Sequence, residues 1–201
     1  MAPRAGLPEP SGRLLFRAEP DDEVFTGLFR RVLEGSLDAA TRREAARIGA
    51  GARARADVAF YRDTMPGERS CWRTARTPGA EVAGFAVPSR NHASPVVGYL
   101  GVLPGHRGHG YADEILAETT RILAAETDPR QVRADTDLAN TPMAAAFERL
   151  GYRTTARRLG ALRRLNPRQP SAARTTPAGG LPVGSYGNNR GISPRSSEED
   201  Q

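Results

Sequence analysis

Val102-Leu103-Pro104-Gly105-His106-Arg107-Gly108-His109-Gly110-Tyr111-Ala112 is the stretch that decides the fold. Before it, Val96 to Leu103 is nearly all apolar, as a central strand is. After it, Ile115, Leu116, Ile122 and Leu123 mark a helix that stops before Pro129. A strand thus runs into a helix through a glycine-rich turn. Such a turn leaves backbone N–H groups at the helix start without partners. Their partial positive charge makes an anion site, most naturally for phosphate oxygens. Gly108 and Gly110 let the backbone approach a ligand closely, and Ala112 is small enough not to block it. The dinucleotide pattern G-x-G-x-x-G is not met, because Asp113 stands at the third glycine position. Taken alone, the stretch fits a plain strand-to-helix turn as well as a binding loop.

Outward from it, the chain reads as alternating elements. Residues 1–12 are rich in proline and glycine and form a loose arm. Arg13 to Ala18 is a first strand. Val24, Phe25, Leu28, Phe29, Val32 and Leu33 recur at helical spacing behind Asp21 and Asp22. Residues 39–64 read as a second helix that Gly49 and Gly51 interrupt. Trp72 to Thr77 and Val82 to Pro88 are strands. Beyond the glycine-rich turn, Val132 to Leu138 alternates as a strand with one polar face. Thr141 is placed to cap a short helix with Pro142 at its first position, an inner face of Met143, Ala146, Phe147 and Leu150, and Gly151 as its stop. Tyr152 to Leu162 is a last strand. The order predicts an α/β domain with a mixed sheet over 13–165. From 166 to 201 the composition turns to Pro, Gly, Ser, Arg and Asn, which predicts a disordered tail.

The composition removes several chemistries. The net charge is +6 and every basic side chain among 29 is arginine, so a Walker phosphate loop or a Schiff-base lysine is excluded. Dispersed arginines without a recognition motif favour solvated faces over nucleic-acid binding. No run approaches the length of a membrane span, and the first residues lack the apolar centre of a signal peptide. Cys71 alone cannot form an internal disulfide or a cysteine-rich zinc site. Together these point to the cytoplasm. His92, His106 and His109 lack the partners of a metal site, so no metal is expected.

Arg107 through Ala112 reads R-x-x-G-x-A and resembles the pyrophosphate signature of the GNAT acetyltransferase superfamily. The apolar strand with V-x-P-x-x-R-G-x-G, Val102 to Gly110, belongs to the same resemblance. So does the block Asn140-Thr-Pro-Met-Ala-Ala-Ala-Phe-Glu-Arg-Leu-Gly-Tyr152, with its asparagine, short helix and leucine-glycine-aromatic turn. The resemblance covers about 72–162 well and 13–71 only by element order. It implies a mostly antiparallel sheet flanked by helices, with a CoA-binding strand-to-helix loop. It implies acetyl-CoA as cosubstrate and transfer of acetyl to a primary amine of a small molecule or peptide by direct attack.

Residue by residue, the resemblance implies that Leu100, Gly101 and Val102 bond the pantetheine arm through main-chain groups. The backbone N–H groups of Arg107, Gly108, His109, Gly110, Tyr111 and Ala112 would hold the pyrophosphate. Asn140 would contact the CoA arm, or serve only as a turn or cap residue. Asp135 matches a glutamate of members that acetylate protein N-termini and is the candidate base, with Asp137 on the same strand face. Both also fit a solvated strand. Phe147 stands where many members have a tyrosine acid, and phenylalanine donates no proton. A CoA-binding sensor or scaffold without catalysis therefore stays open beside the enzyme. So does the choice between a monomer and a homodimer, and the acceptor amine is not legible.

Overall fold

Five strands in the order β1-β2-β3-β4-β5 carry helices on both faces. The computed structural model describes residues 11–65, 67–92, 94–127 and 131–156. All of these lie in the first of two compact units, residues 1–157, and the second, residues 158–201, is outside the described residues. The strands are β1 (Leu15–Ala18), β2 (Arg73–Arg76), β3 (Val82–Arg90), β4 (Pro95–Val102) and β5 (Arg133–Ala134). The helices are α1 (Asp22–Val32), α2 (Ala39–Ile48), α3 (Ala50–Ala59), α4 (Tyr111–Thr127) and α5 (Thr141–Arg149). Strands β1 to β4 pair antiparallel, and β5 joins β4 in parallel after the α4 crossover. The expected α/β class and mixed, mostly antiparallel sheet are what the chain adopts.

Helix α1 forms because Asp21 caps it, its carboxylate accepting the Glu23 N–H at 2.8 Å. Its stripe of Phe25, Leu28, Phe29 and Val32 is buried against one face of the sheet. There Phe29 meets Phe85 at 4.8 Å and Tyr99 at 4.7 Å between ring centres, and Phe25 meets Trp72 at 4.9 Å. Strand β3 sends Phe85 and Val87 into this layer and Ala86 to the opposite one, where Ile115 of α4 packs. Gly49, at φ +88°, separates α2 from α3, whereas Gly51 lies inside α3 without breaking it.

Four expectations are corrected. Strand β5 is confined to Arg133–Ala134 rather than 132–138, because Asp137 turns away to α2: its carboxylate accepts the Ala39 N–H at 3.0 Å. Asp135 and Asp137 therefore share no strand face. Residues 152–156 form no strand, and all but Tyr152 are exposed; residues 157–162 of that expectation lie outside the described residues. Helix α5 is capped one residue early, by Asn140, whose carbonyl accepts from the N–H of Met143 and of Ala144 at 3.1 Å each. Pro142 accordingly sits at the second helical position. Residues 1–10 and the tail from 166 to 201 lie outside the described residues.

Phe29 anchors the layer under α1, so Phe29→Ala leaves a cavity among Tyr61, Phe85 and Tyr99. The expected loss is about 3–5 kcal/mol of unfolding free energy, read from urea denaturation with an unchanged m-value.

Candidate functional site

Strand β4 is bonded fully along one edge only. Against β3 it pairs from Pro95 to Val102, with one irregularity: Val87 faces Tyr99 while Pro88 faces Val97. Gly98 is thus an extra residue on β4, a bulge that bends the strand. A side chain there would meet Ser89 Oγ at 2.5 Å and the Val87 carbonyl at 2.7 Å, so glycine is required. The Tyr61 hydroxyl donates to the Gly98 carbonyl at 2.7 Å and steadies the bulge from α1's side of the sheet. On its other edge β4 meets β5 only at Val96 and Val97. Beyond the bulge, that edge from Tyr99 to Val102 has no partner strand among the described residues, and Leu100, Gly101 and Val102 lie along it.

The open edge leads into the turn before α4. Pro104–His106 forms a short helical turn, then Gly108 and Gly110 take φ of +81° and +75°. A side chain at Gly108 would meet nothing within 4 Å, so the conformation, not crowding, demands glycine there. The Arg107 N–H is engaged by the Pro104 carbonyl at 3.3 Å, and the Asp113 N–H by the Gly110 carbonyl at 3.2 Å. Between them, the N–H groups of Gly108, His109, Gly110, Tyr111 and Ala112 donate to no main-chain acceptor among the described residues. They stand at the positive end of a 17-residue helix.

Arg107 differs from expectation in one respect. Its main-chain N–H belongs to the turn before the glycines rather than to the open group. Its side chain points back into the protein. Nη1 donates to the Glu34 carbonyl at 2.7 Å, Nη2 to the Val32 carbonyl at 3.0 Å, and Nε to the Val102 carbonyl at 3.2 Å. The guanidinium thereby satisfies carbonyls left over at the C-terminus of α1. It holds the loop rather than facing outward. The His109 ring also turns back, with Nδ1 at 2.9 Å from the Arg107 carbonyl and the ring stacked on Tyr111 at 5.6 Å.

Arg13 was not singled out by the sequence. Its guanidinium donates to the His109 carbonyl and lies 5.2 Å from the centre of the Tyr111 ring. Nothing local marks it, because the contact spans 96 positions of chain.

Asn140 heads α5 without a side-chain capping bond, and Asp135 is exposed in the connector after β5. Asp137 is committed: Oδ1 accepts the Ala139 N–H at 2.9 Å and Oδ2 the Ala39 N–H at 3.0 Å. These two backbone bonds hold its carboxyl below the usual carboxylate range. Phe147 packs on Tyr152 at 5.3 Å, in the hydrophobic contact that closes α5. The Tyr152 N–H reaches the Phe147 carbonyl at 2.9 Å and the Gly151 N–H the Glu148 carbonyl at 3.0 Å, with Gly151 at φ +80°. The Tyr152 hydroxyl pairs with Thr120 Oγ1 at 2.7 Å, and burial raises its pKa. Trp72 is core, under the guanidinium of Arg69 at 4.2 Å. Among the described residues no three acidic, histidine or cysteine side chains converge as a metal cluster, and no helix is long and apolar enough to cross a membrane.

A family model described as an acetyltransferase (GNAT) domain matches residues 18–153. No curated protein matches the sequence. A solved acetyltransferase of the GNAT family from Bacillus anthracis aligns at TM-score 0.51 and 17% identity, over 72% of this chain and 82% of that one. A Bordetella pertussis protein described as a GNAT-family acetyltransferase aligns at 0.51 and 19%, over 74% and 89%. At these identities the likeness is one of fold.

Asp137 gives the site a pH-dependent tie between α2 and the connector after β5. Its folded pKa lies below the unfolded one, so its stabilisation is complete above the unfolded value near ~3.9 and is lost as pH falls through the folded value. Asp137→Ala should lower stability by a constant amount from neutral pH to about pH 5, and the gap should close in stronger acid. Chemical denaturation of both proteins across pH measures it; a gap that widens on acidification contradicts the assignment.

Proposed function

The chain belongs to the GNAT acetyltransferase family, and on that premise we propose that it is an N-acetyltransferase that moves the acetyl group of acetyl-CoA to a primary amine of a small molecule or peptide. The observation that carries this is the group of N–H donors from Gly108 to Ala112 at the start of α4, which have no main-chain partner among the described residues, directly beyond the edge of β4 that β5 leaves. Donors at a helix N-terminus suit the two phosphates of CoA. Main-chain groups of Leu100, Gly101 and Val102 suit the amide-bearing pantetheine arm, which would continue the sheet where β5 leaves off. Asn140 is proposed to contact the arm. Arg107 keeps its place in the site as the residue that holds the loop.

In the proposed reaction a neutral amine attacks the thioester carbon, a C–N bond forms and the C–S bond breaks. The ammonium proton must leave first, and Asp135 is the proposed base, directly or through one water. Asp137 is unsuited, since both its oxygens accept backbone N–H groups and its lowered pKa weakens it as a base. The leaving thiolate takes its proton from solvent, because Phe147 has none to give and the Tyr152 hydroxyl is paired with Thr120.

Phe147 supports a second reading, a domain that binds CoA without transferring acetyl. Steady-state thiol release from acetyl-CoA across a panel of amines separates the two. Turnover with one amine class supports the enzyme; CoA binding by calorimetry with no turnover supports the sensor. Gly110→Glu should abolish CoA binding in either case, since it sets a side chain and a negative charge at the turn, on a residue at φ +75°. Unchanged affinity would refute the site.

For Asp135→Asn the loss of turnover should be greatest at low pH, where the amine is protonated, and narrow as pH approaches the amine's own pKa. A pH–rate profile parallel to that of the unmodified protein removes Asp135 from the mechanism.

A further inference from the structure

We infer that Arg13 is a second anion-binding group of the turn before α4, donating from its guanidinium to the pyrophosphate of CoA; this rests on the reading of that turn as the donor site. Arg13 reaches the turn from just before β1. It donates to the His109 carbonyl and lies against the Tyr111 ring, 5.2 Å from its centre. Both Nη1 and Nη2 come within 3.7 Å of the place a side chain would occupy at Gly110. The guanidinium is therefore at the glycine whose neighbours carry the unpartnered N–H groups.

No carboxylate pairs with Arg13 among the described residues. Asp113, in the first turn of α4, is taken by Arg149 through two bonds of 2.8 Å. A cation beside the positive end of a helix is unfavourable by itself. The His109 carbonyl and the Tyr111 face hold it there, and a polyphosphate would turn the repulsion into attraction. A guanidinium has five N–H donors in a planar fork that matches phosphate oxygens, and among the described residues only Nη2 donates to a protein acceptor. The main-chain N–H groups and the fork then converge on one anion. Arg13 lies outside the stretch that carries the family signature, so this contact belongs to the fold of this chain.

Calorimetry of the full chain with CoA, dephospho-CoA and pantetheine tests it, using Arg13→Ala and Arg13→Lys. Arg13→Ala should weaken CoA and dephospho-CoA by the same factor, about tenfold, the size of one charge-assisted bond in a solvent-exposed site. Pantetheine, which lacks the pyrophosphate, should bind the variant as it binds the unmodified protein. Arg13→Lys should fall between, since it keeps the charge and loses the fork. Unchanged CoA affinity in Arg13→Ala overturns the inference. So does a loss seen with CoA but not dephospho-CoA, which would put the contact on the 3′-phosphate, and so does an equal loss with pantetheine, which would mean general damage to the loop. If the unmodified protein binds neither CoA nor dephospho-CoA, the reading of the turn as the donor site fails; if it binds both and Arg13→Ala binds them equally tightly, only the role of Arg13 fails.

Discussion

Three hydrogen bonds from one side chain hold the centre of this molecule in register. Arg107 donates to carbonyls of Val32, Glu34 and Val102, so the end of α1, the end of β4 and the turn before α4 are fixed to one planar group. Without that junction the glycines at 108 and 110 would be free to sample many backbone states. With it, the turn arrives at α4 in one conformation, and the N–H groups at the helix start donate to no main-chain acceptor among the described residues. The same bonds satisfy carbonyls that α1 would otherwise leave unpaired.

Strand β4 supplies the other half of the arrangement. Its bulge at Gly98 bends it, and β5 follows it for only two residue pairs. The sheet therefore opens between β4 and β5, next to the anion-favouring helix end. Backbone donors and acceptors exposed along a strand and unpaired N–H groups at a helix are the kinds of group that a long polar ligand with a phosphate end can satisfy together. Side-chain chemistry is sparse by comparison. Of the two acidic residues in the connector between β5 and α5, Asp137 is spent on architecture, and the phenol of Tyr152 is buried against Thr120.

The parts legible in the sequence were those governed by local physics. Periodicity located α1, the glycines located the start of α4, and Gly151 located the end of α5, where its positive φ permits the closing bonds. The parts that were not legible depend on contacts between distant segments. The alternation from Val132 to Leu138 promised a longer strand, but the Ala39 N–H captures Asp137 and ends it early. Arg107 read as one of the backbone donors, because a motif reports position and not which N–H the preceding turn engages or where the side chain goes. Arg13 gave no signal at all, since its partners lie 96 and 98 positions away in the chain. Phe147 read as a missing acid, and its packing on Tyr152 shows the structural use to which the position is put.

Helix α2 has no buried residue of its own. Its start is fixed by two carboxylates, Asp38 on the Thr41 N–H at 2.6 Å and Asp137 on the Ala39 N–H at 3.0 Å. Its sequence is consequently under little restraint from the core: substitutions along it remove no fully buried side chain and touch neither the sheet, the Arg107 junction nor the α4 turn. Drift can accumulate in α2 while the rest of the domain stays constant, so long as the two carboxylates survive. Copies of this gene could therefore diverge in surface charge and shape over that helix at almost no cost in foldability, which makes it the natural place for new variants to arise.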